Sequence, residues 1–162
     1  PGGAYRTTFL ALDENEALSN MMTAIATLSK SELAGERVLV AWDNRDQEDE
    51  HSCFADNTHR DLRLNFLGIK EVYLGKNGAK IGPSIHDLVE QTDANLATEI
   101  ITALDNAEDK VENTAIPFDY AISNDGERPK VRDAVTALQD LGDKFVTGGT
   151  AIGVTVGSEL PE

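Results

Sequence analysis

The run EDEHSCFADNTHRD, residues 48–61, gathers Glu48, Asp49, Glu50, His51, Ser52, Asp56, Asn57, Thr58, His59 and Asp61 into one short span. Carboxylate oxygens suit hard cations and imidazole suits iron, zinc or copper, so a mixed acid and histidine set points to a transition metal. Asp56 and His59 are three apart at an expected helix start, a spacing that lets two side chains face the same way. Glu50 and His51 precede them by a loop and could fold back. Glu50, His51, Asp56 and His59 are therefore the candidate metal ligands, with iron or zinc as the candidate cofactor. The competing reading is a solvated acidic loop in which His59 caps the helix or pairs with an acid. The spacing matches neither H-E-x-x-H nor an EF-hand loop.

Other chemistry is weaker in this chain. Ser52 and Cys53 sit beside His51, but sequence neighbours on a loop tend to point apart, and no G-x-S-x-G elbow is present. Cys53 reads as a small buried residue. His86, in SIHDLVE, reads as a surface histidine on a short helix. Gly148, Gly149, Gly153 and Gly157 lack the G-K-[ST] that would make a phosphate loop. Asn57-Thr58-His59 is not a glycosylation sequon. Trp42, Tyr5, Tyr73 and Tyr120 are too scattered for a stacking platform, and core packing is expected for them.

A polar cluster does chemistry only when rigid elements hold it. Directly after it, Leu62, Phe66, Ile69 and Tyr73 recur at helical steps, so a core helix is expected from about Asn57 to Leu74, stopped by Gly75. Upstream, PGGAYRTTF reads as an extended lead-in. Asp13 with Glu16 is a capping-box pattern before the apolar stripe Leu18, Met21, Met22, Ile25 and Leu28. Ser29 with Glu32 repeats that start signal, which predicts a second helix reaching the deeply apolar run Val38–Trp42. A short strand is the competing assignment for that run. Downstream, KNGAKIGP is a turn-rich loop and Ser84 with Asp87 opens a short helix. Leu96, Ala97, Ile100, Ile101, Leu104 and Val111 mark a long amphipathic helix. IPFDYAISNDGERP reads as a loop anchored by Ile116, Phe118 and Tyr120. The last helix carries Val131, Ala134, Val135, Leu138, Phe145 and Val146 and is expected to fray in the glycines of 147–157. Four or five main helices without strand alternation predict an all-α, up-and-down helical bundle.

At 162 residues a single domain with a real core is expected over residues 1–162. Between Asp43 and Asp61 seven acids oppose Arg45 and Arg60; that excess of five is a third of the net charge of -15. A pI near 4.4 argues against nucleic acid, since nothing here could neutralise a row of phosphates. One cysteine excludes an intrachain disulfide. No run approaches the ~18 apolar residues of a membrane helix.

The stretch ELAGERVLVAWDNRDQEDEHSCFADNTHRDLRLNFLGIKEVYLG, residues 32–75, resembles the second half of imelysin-like proteins. That family includes insulin-cleaving membrane proteases and iron-regulated proteins. The likeness continues through GPSIHDLV (82–89), IPFDYAI (116–122) and a last helix with Arg132, and is most specific over Asp46–Asp61. It implies a helical protein of the bacterial envelope, periplasmic or attached to the outer membrane by a lipid anchor outside this chain, and associated with iron uptake. Glu50, Ser52, Phe54, Asp56, Asn57, Thr58, His59 and Asp61 match the family's site-facing motif. The resemblance thus adds Ser52, Phe54, Asn57, Thr58 and Asp61 as ligand-binding candidates. Family members pair two helical bundles, and the first carries the G-x-H-x-x-E motif behind the metallopeptidase label. No such motif occurs here, which leaves a metallopeptidase as one alternative and a non-catalytic structural or interaction bundle as another. Because only the second bundle is matched and the chain opens on Pro1, a C-terminal half of a longer protein is expected, with the N-terminal bundle as its partner. One face of such a half should be apolar.

Overall fold

The computed structural model describes residues 3–159. Its main helices follow from local signals. Asp13 accepts a hydrogen bond from the Asn15 amide (2.9 Å) and starts α2 (Glu14–Thr27). The helix then runs on without a break through a π-helical section (Leu28–Leu39) into α3 (Val40–Asn44), ending where Arg45 turns left-handed at φ 54°. The expected second start at Ser29 is corrected. Ser29 is fully buried and its hydroxyl donates to the Ile25 carbonyl (2.6 Å), so it bonds backward within the helix. The strand alternative for 38–42 fails as well. Of that run Val38 and Ala41 are buried, whereas Val40 faces solvent.

The segment after Arg45 holds two short 3₁₀ turns, Gln47–Asp49 and Cys53–Ala55, before α4 (Thr58–Tyr73). α4 buries Leu62, Phe66, Ile69 and Tyr73, the stripe read from the sequence. Gly75, at φ +61°, stops it; a Cβ there would lie 2.6 Å from the Pro83 carbonyl. The loop beyond contains a small antiparallel hairpin, β1 (Lys76–Asn77) with β2 (Lys80–Ile81). α5 (Ile85–Thr92) opens on a complete capping box: the Ser84 hydroxyl accepts from the Asp87 amide, and the Asp87 carboxylate accepts from the Ser84 amide.

α6 (Ala94–Glu112) and α8 (Arg128–Ala151) form the centre of the bundle, and α8 also packs on α2 and the π-helical section. Gly142 lets α8 close on the π section, since a Cβ there would stand 2.6 Å from Lys30 Cβ and 3.1 Å from the Ala26 carbonyl. A single hydrophobic core spans all the long helices. The fold is the expected all-α, up-and-down bundle, built on α2–α3, α4, α6 and α8.

Three loop assignments are corrected. The lead-in forms a short helix, α1 (Ala4–Phe9), with Tyr5 stacked on Phe9 one turn on (6.3 Å); Pro1 and Gly2 lie outside the described residues. The 116–129 stretch contains α7 (Phe118–Ser123), in which Phe118 is buried while Ile116 and Tyr120 are not. α8 does not fray at 147: Gly148 and Gly149 are buried within it, facing Ile100 and Val156. The segment after α8 folds back on α2 and the π section, where Ser19 and Ser31 donate to the Thr155 and Ser158 carbonyls.

The aromatic residues divide. Tyr73 is core, but Tyr5 is exposed and Trp42 lies half-buried under two guanidinium groups, Arg128 at 4.4 Å and Arg132 at 5.6 Å. His86 is not an ordinary surface histidine, because it packs on Tyr73 with its Nδ1 buried. Cys53 is half-buried rather than core. An apolar groove of about 540 Å³ runs between α1, α2 and α4, lined by Tyr5, Phe9, Met21, Leu28, Ile69 and Val72. No helix among the described residues is long and apolar enough to cross a membrane.

Candidate functional site

The polar segment is anchored by Asp61, in the first turn of α4. Its Oδ2 accepts a short hydrogen bond from the Ser52 hydroxyl and lies 3.3 Å from His51 Nε2. Its Oδ1 accepts from the Asn57 amide (3.0 Å), and its carbonyl accepts from Asn65 (2.8 Å). Asn65 in turn accepts from Arg37, whose other nitrogen pairs with Glu32. The carboxylate thus fastens the loop to α4, while the backbone carbonyl of Asp61 is linked through Asn65 to Arg37 on the π section. Burial pushes the His51 imidazole below its ordinary pKa; Asp61 opposes that shift and Arg37 adds to it.

Glu50 makes none of the hydrogen bonds of this network. It is 4% exposed, in a region where acids are rarely buried without a partner. Burial raises its pKa, Thr58 pulls it down, and the carboxylates of Asp119 and Asp56 add to the rise. Although Thr58 is close enough to act on Glu50, neither the Thr58 hydroxyl nor Glu50 Oε1 has a hydrogen-bond partner of good geometry. His59 Nδ1 is also buried without a partner.

The residues singled out from sequence therefore fall into separate sets. Asp61, Ser52, His51 and Asn57 come together as a network. Glu50, Thr58 and Asp56 form a second set. Asp56 is exposed and left-handed (φ 47°), just ahead of α4, so the helical three-residue spacing to His59 does not apply. The His59 carbonyl, rather than its ring, is engaged, by Arg63 at 2.6 Å. Phe54 stands 97% exposed on the turn between the sets. Among the described residues no three His, Cys, Asp or Glu side chains are placed to hold a metal ion.

Sequence reasoning missed Arg37, Asn65 and Asp119. Arg37 sits eleven residues before Glu48, and nothing local marks it as a support of the Asp61 backbone through Asn65. Asp119 lies in IPFDYAI, where apolar anchors dominated the reading. Its approach follows from two clamps. Arg63 grips the His59 carbonyl together with the Thr114 and Glu112 carbonyls, and Arg128 grips the Trp42 and Ile122 carbonyls. α7 is thereby held alongside the segment that runs from α3 to α4.

Fold and site together define a helical bundle with an acid-rich polar end that contains unpartnered buried groups. The chain belongs to the imelysin family, whose profile, described as a peptidase family, matches residues 1–145. No curated protein matches it. A solved imelysin peptidase from Bacteroides ovatus superposes with a TM-score of 0.67 at 18% identity, over 89% of this chain and 44% of that one. At that identity the likeness speaks for the fold, and the chain spans less than half of the Bacteroides protein.

Proposed function

We propose that this chain is a binding module whose 48–61 segment contributes to a site for a small ligand or metal ion. The observation that carries the reading is the set of buried, unpartnered atoms in one stretch: Glu50 Oε1, the Thr58 hydroxyl and His59 Nδ1. Buried polar groups in folded proteins are nearly always paired, so atoms left over have room for a bound water, ion or ligand atom. Asp61 and its network hold the stretch rigid. The bacterial envelope setting, the link to iron uptake and a lipid anchor outside the chain rest on the family likeness. A second helical bundle of the same polypeptide is the proposed partner, motivated by the length difference from the Bacteroides structure.

Iron or zinc is the metal the donor chemistry suggests, with Glu50, His51, Asp56 and His59 as candidate ligands. These residues do not form a metal cage within this chain, and a structural or catalytic metal needs three or four converging donors. A metal held here would take its other ligands from water or from a partner. For the same reason no peptidase step is assigned.

The test is ligand and metal retention. The purified chain would be equilibrated with ferrous, ferric and zinc ions and analysed by elemental analysis and native mass spectrometry, beside an Asp56→Ala/His59→Ala variant. A bound species in the parent that is lost in the variant is the expected result. Equal retention in both proteins would remove these residues from the site.

A further inference from the structure

We infer that the start of α8 carries a second site, separate from the 48–61 segment, in which the guanidinium groups of Arg128 and Arg132 take a carboxylate beside the indole of Trp42. The placement rests on distances. The Arg128 guanidinium lies 4.4 Å and that of Arg132 5.6 Å from the centroid of the same ring. Residues four apart on a helix share a face, so both side chains reach Trp42 from one side of α8. Trp42 is itself fixed, because its indole N–H donates to the Arg128 carbonyl (2.9 Å). Arg128 Nη1 donates to the Trp42 and Ile122 carbonyls (2.6 Å each), which locks that guanidinium between α3 and α7.

The pairing of charges names the ligand. The chain has 29 acids against 14 lysines and arginines, so a basic side chain here has acids in excess. The acids flanking the start of α8 are nonetheless turned to other cations, Asp125 to Arg45 (2.9 Å) and Glu127 to Lys130 (2.8 Å). Asp43, next to Trp42, and Asp133, next to Arg132, are exposed and pair with neither guanidinium. Among the described residues Arg128 and Arg132 therefore have no carboxylate partner, and Arg132 donates no hydrogen bond. Two guanidiniums held against one ring repel each other, and an anion that meets both relieves the repulsion. Contact with the ring leaves their outward N–H donors free: all those of Arg132, and Nε and Nη2 of Arg128. That fork matches the two oxygens of a carboxylate. The net charge of -15 acts against any anion, but exposed charges farther than about 8 Å are largely screened at physiological ionic strength. The same field favours a singly charged carboxylate over a phosphate dianion, which carries twice the repulsion.

Trp42 is the only tryptophan, so its indole N–H gives a single, self-assigned NMR signal at the site. The experiment titrates the isotope-labelled chain with sodium acetate, holding ionic strength constant with sodium chloride, and follows that signal together with the amides of residues 128–133. Acetamide, the neutral isostere, is the control, and inorganic phosphate is titrated separately. Saturable shifts with acetate and none with acetamide are expected. Arg132 is exposed, so an Arg132→Gln variant should keep the fold, which circular dichroism checks. Its affinity for acetate should be about tenfold weaker, the loss of one charge-assisted contact. Equal binding of acetamide, unchanged affinity in folded Arg132→Gln, or no saturable shift with acetate overturns the site. Phosphate binding without acetate binding overturns the carboxylate class. None of these outcomes bears on the 48–61 segment, to which neither arginine belongs.

Discussion

Glu50 and Asp61 are both carboxylates of the same short segment, and their surroundings give them opposite roles. Asp61 has donors for each oxygen and serves as a fastener. Glu50 has burial without adequate donors, so the folded protein holds its proton more tightly than the unfolded chain does. With the folded pKa raised above its ordinary 4.5, the stability linked to this group is full below that value and is lost as pH rises through the folded pKa. His51 runs the other way. Its lowered pKa gives stability that is full above 6.5 and is lost as pH falls through the folded value. Replacing Glu50→Gln keeps the shape and removes the ionisation. We expect it to stabilise the chain by about 1 kcal/mol near neutral pH and to flatten the loss of stability between acid and neutral pH. Thermal unfolding near pH 5 and pH 8 checks this; a variant that loses as much stability as its parent across that range would refute it.

Helix packing is governed by where a helix carries no side chain. At Gly142 the π section and α8 approach so closely that a Cβ would meet both Lys30 Cβ and the Ala26 carbonyl. Gly142→Ala must push the helices apart and should cost about 1–3 kcal/mol. Gly68, on the exposed side of α4, meets nothing within 4 Å. Gly68→Ala should therefore gain about 0.5–1 kcal/mol, because alanine restricts the unfolded chain and favours helix. Urea unfolding of the two variants separates the cases: a Gly142→Ala chain as stable as its parent would contradict the close contact there, and a destabilised Gly68→Ala chain would contradict the open face at Gly68. The approach also shows why a helix start was misread. Ser29 with Glu32 repeats the pattern of Ser84 with Asp87, yet only the second is a cap. Ser84 begins a helix beside solvent, where its hydroxyl is free to accept from the chain ahead. Ser29 lies inside a continuous helix against α8, where its hydroxyl can only bond backward.

For the molecule as a whole, charge is the dominant long-range term. A net charge of -15 on a chain of this size repels itself, and the acidic 43–61 segment concentrates that repulsion at one end of the bundle. Raising sodium chloride from about 10 to about 150 mM shortens the screening length from about 30 to about 8 Å, so the melting temperature should rise over that range. A melting temperature that falls would mean that the surface ion pairs, such as Lys70–Glu108 and Lys144–Glu99, outweigh the repulsion.

The helical class, the apolar stripes of α2, α4, α6 and α8, and the caps at Asp13 and Ser84 were legible in the chain because each depends on residues within a turn or two of one another. The segment with the unpartnered buried groups was also legible, since its acids and histidines are neighbours. What it contacts was not. Asp61 is supported through Arg37, Glu50 is approached from α7 by Asp119, and the two clamps that bring these together come from Arg63 and Arg128. Those partners are separated along the chain by tens of residues, so their meeting depends on how the helices pack. Burial likewise belongs to the packed bundle: the same kind of carboxyl is a satisfied anchor at Asp61 and an unpaired, proton-retaining group at Glu50 because of what the fold places around each.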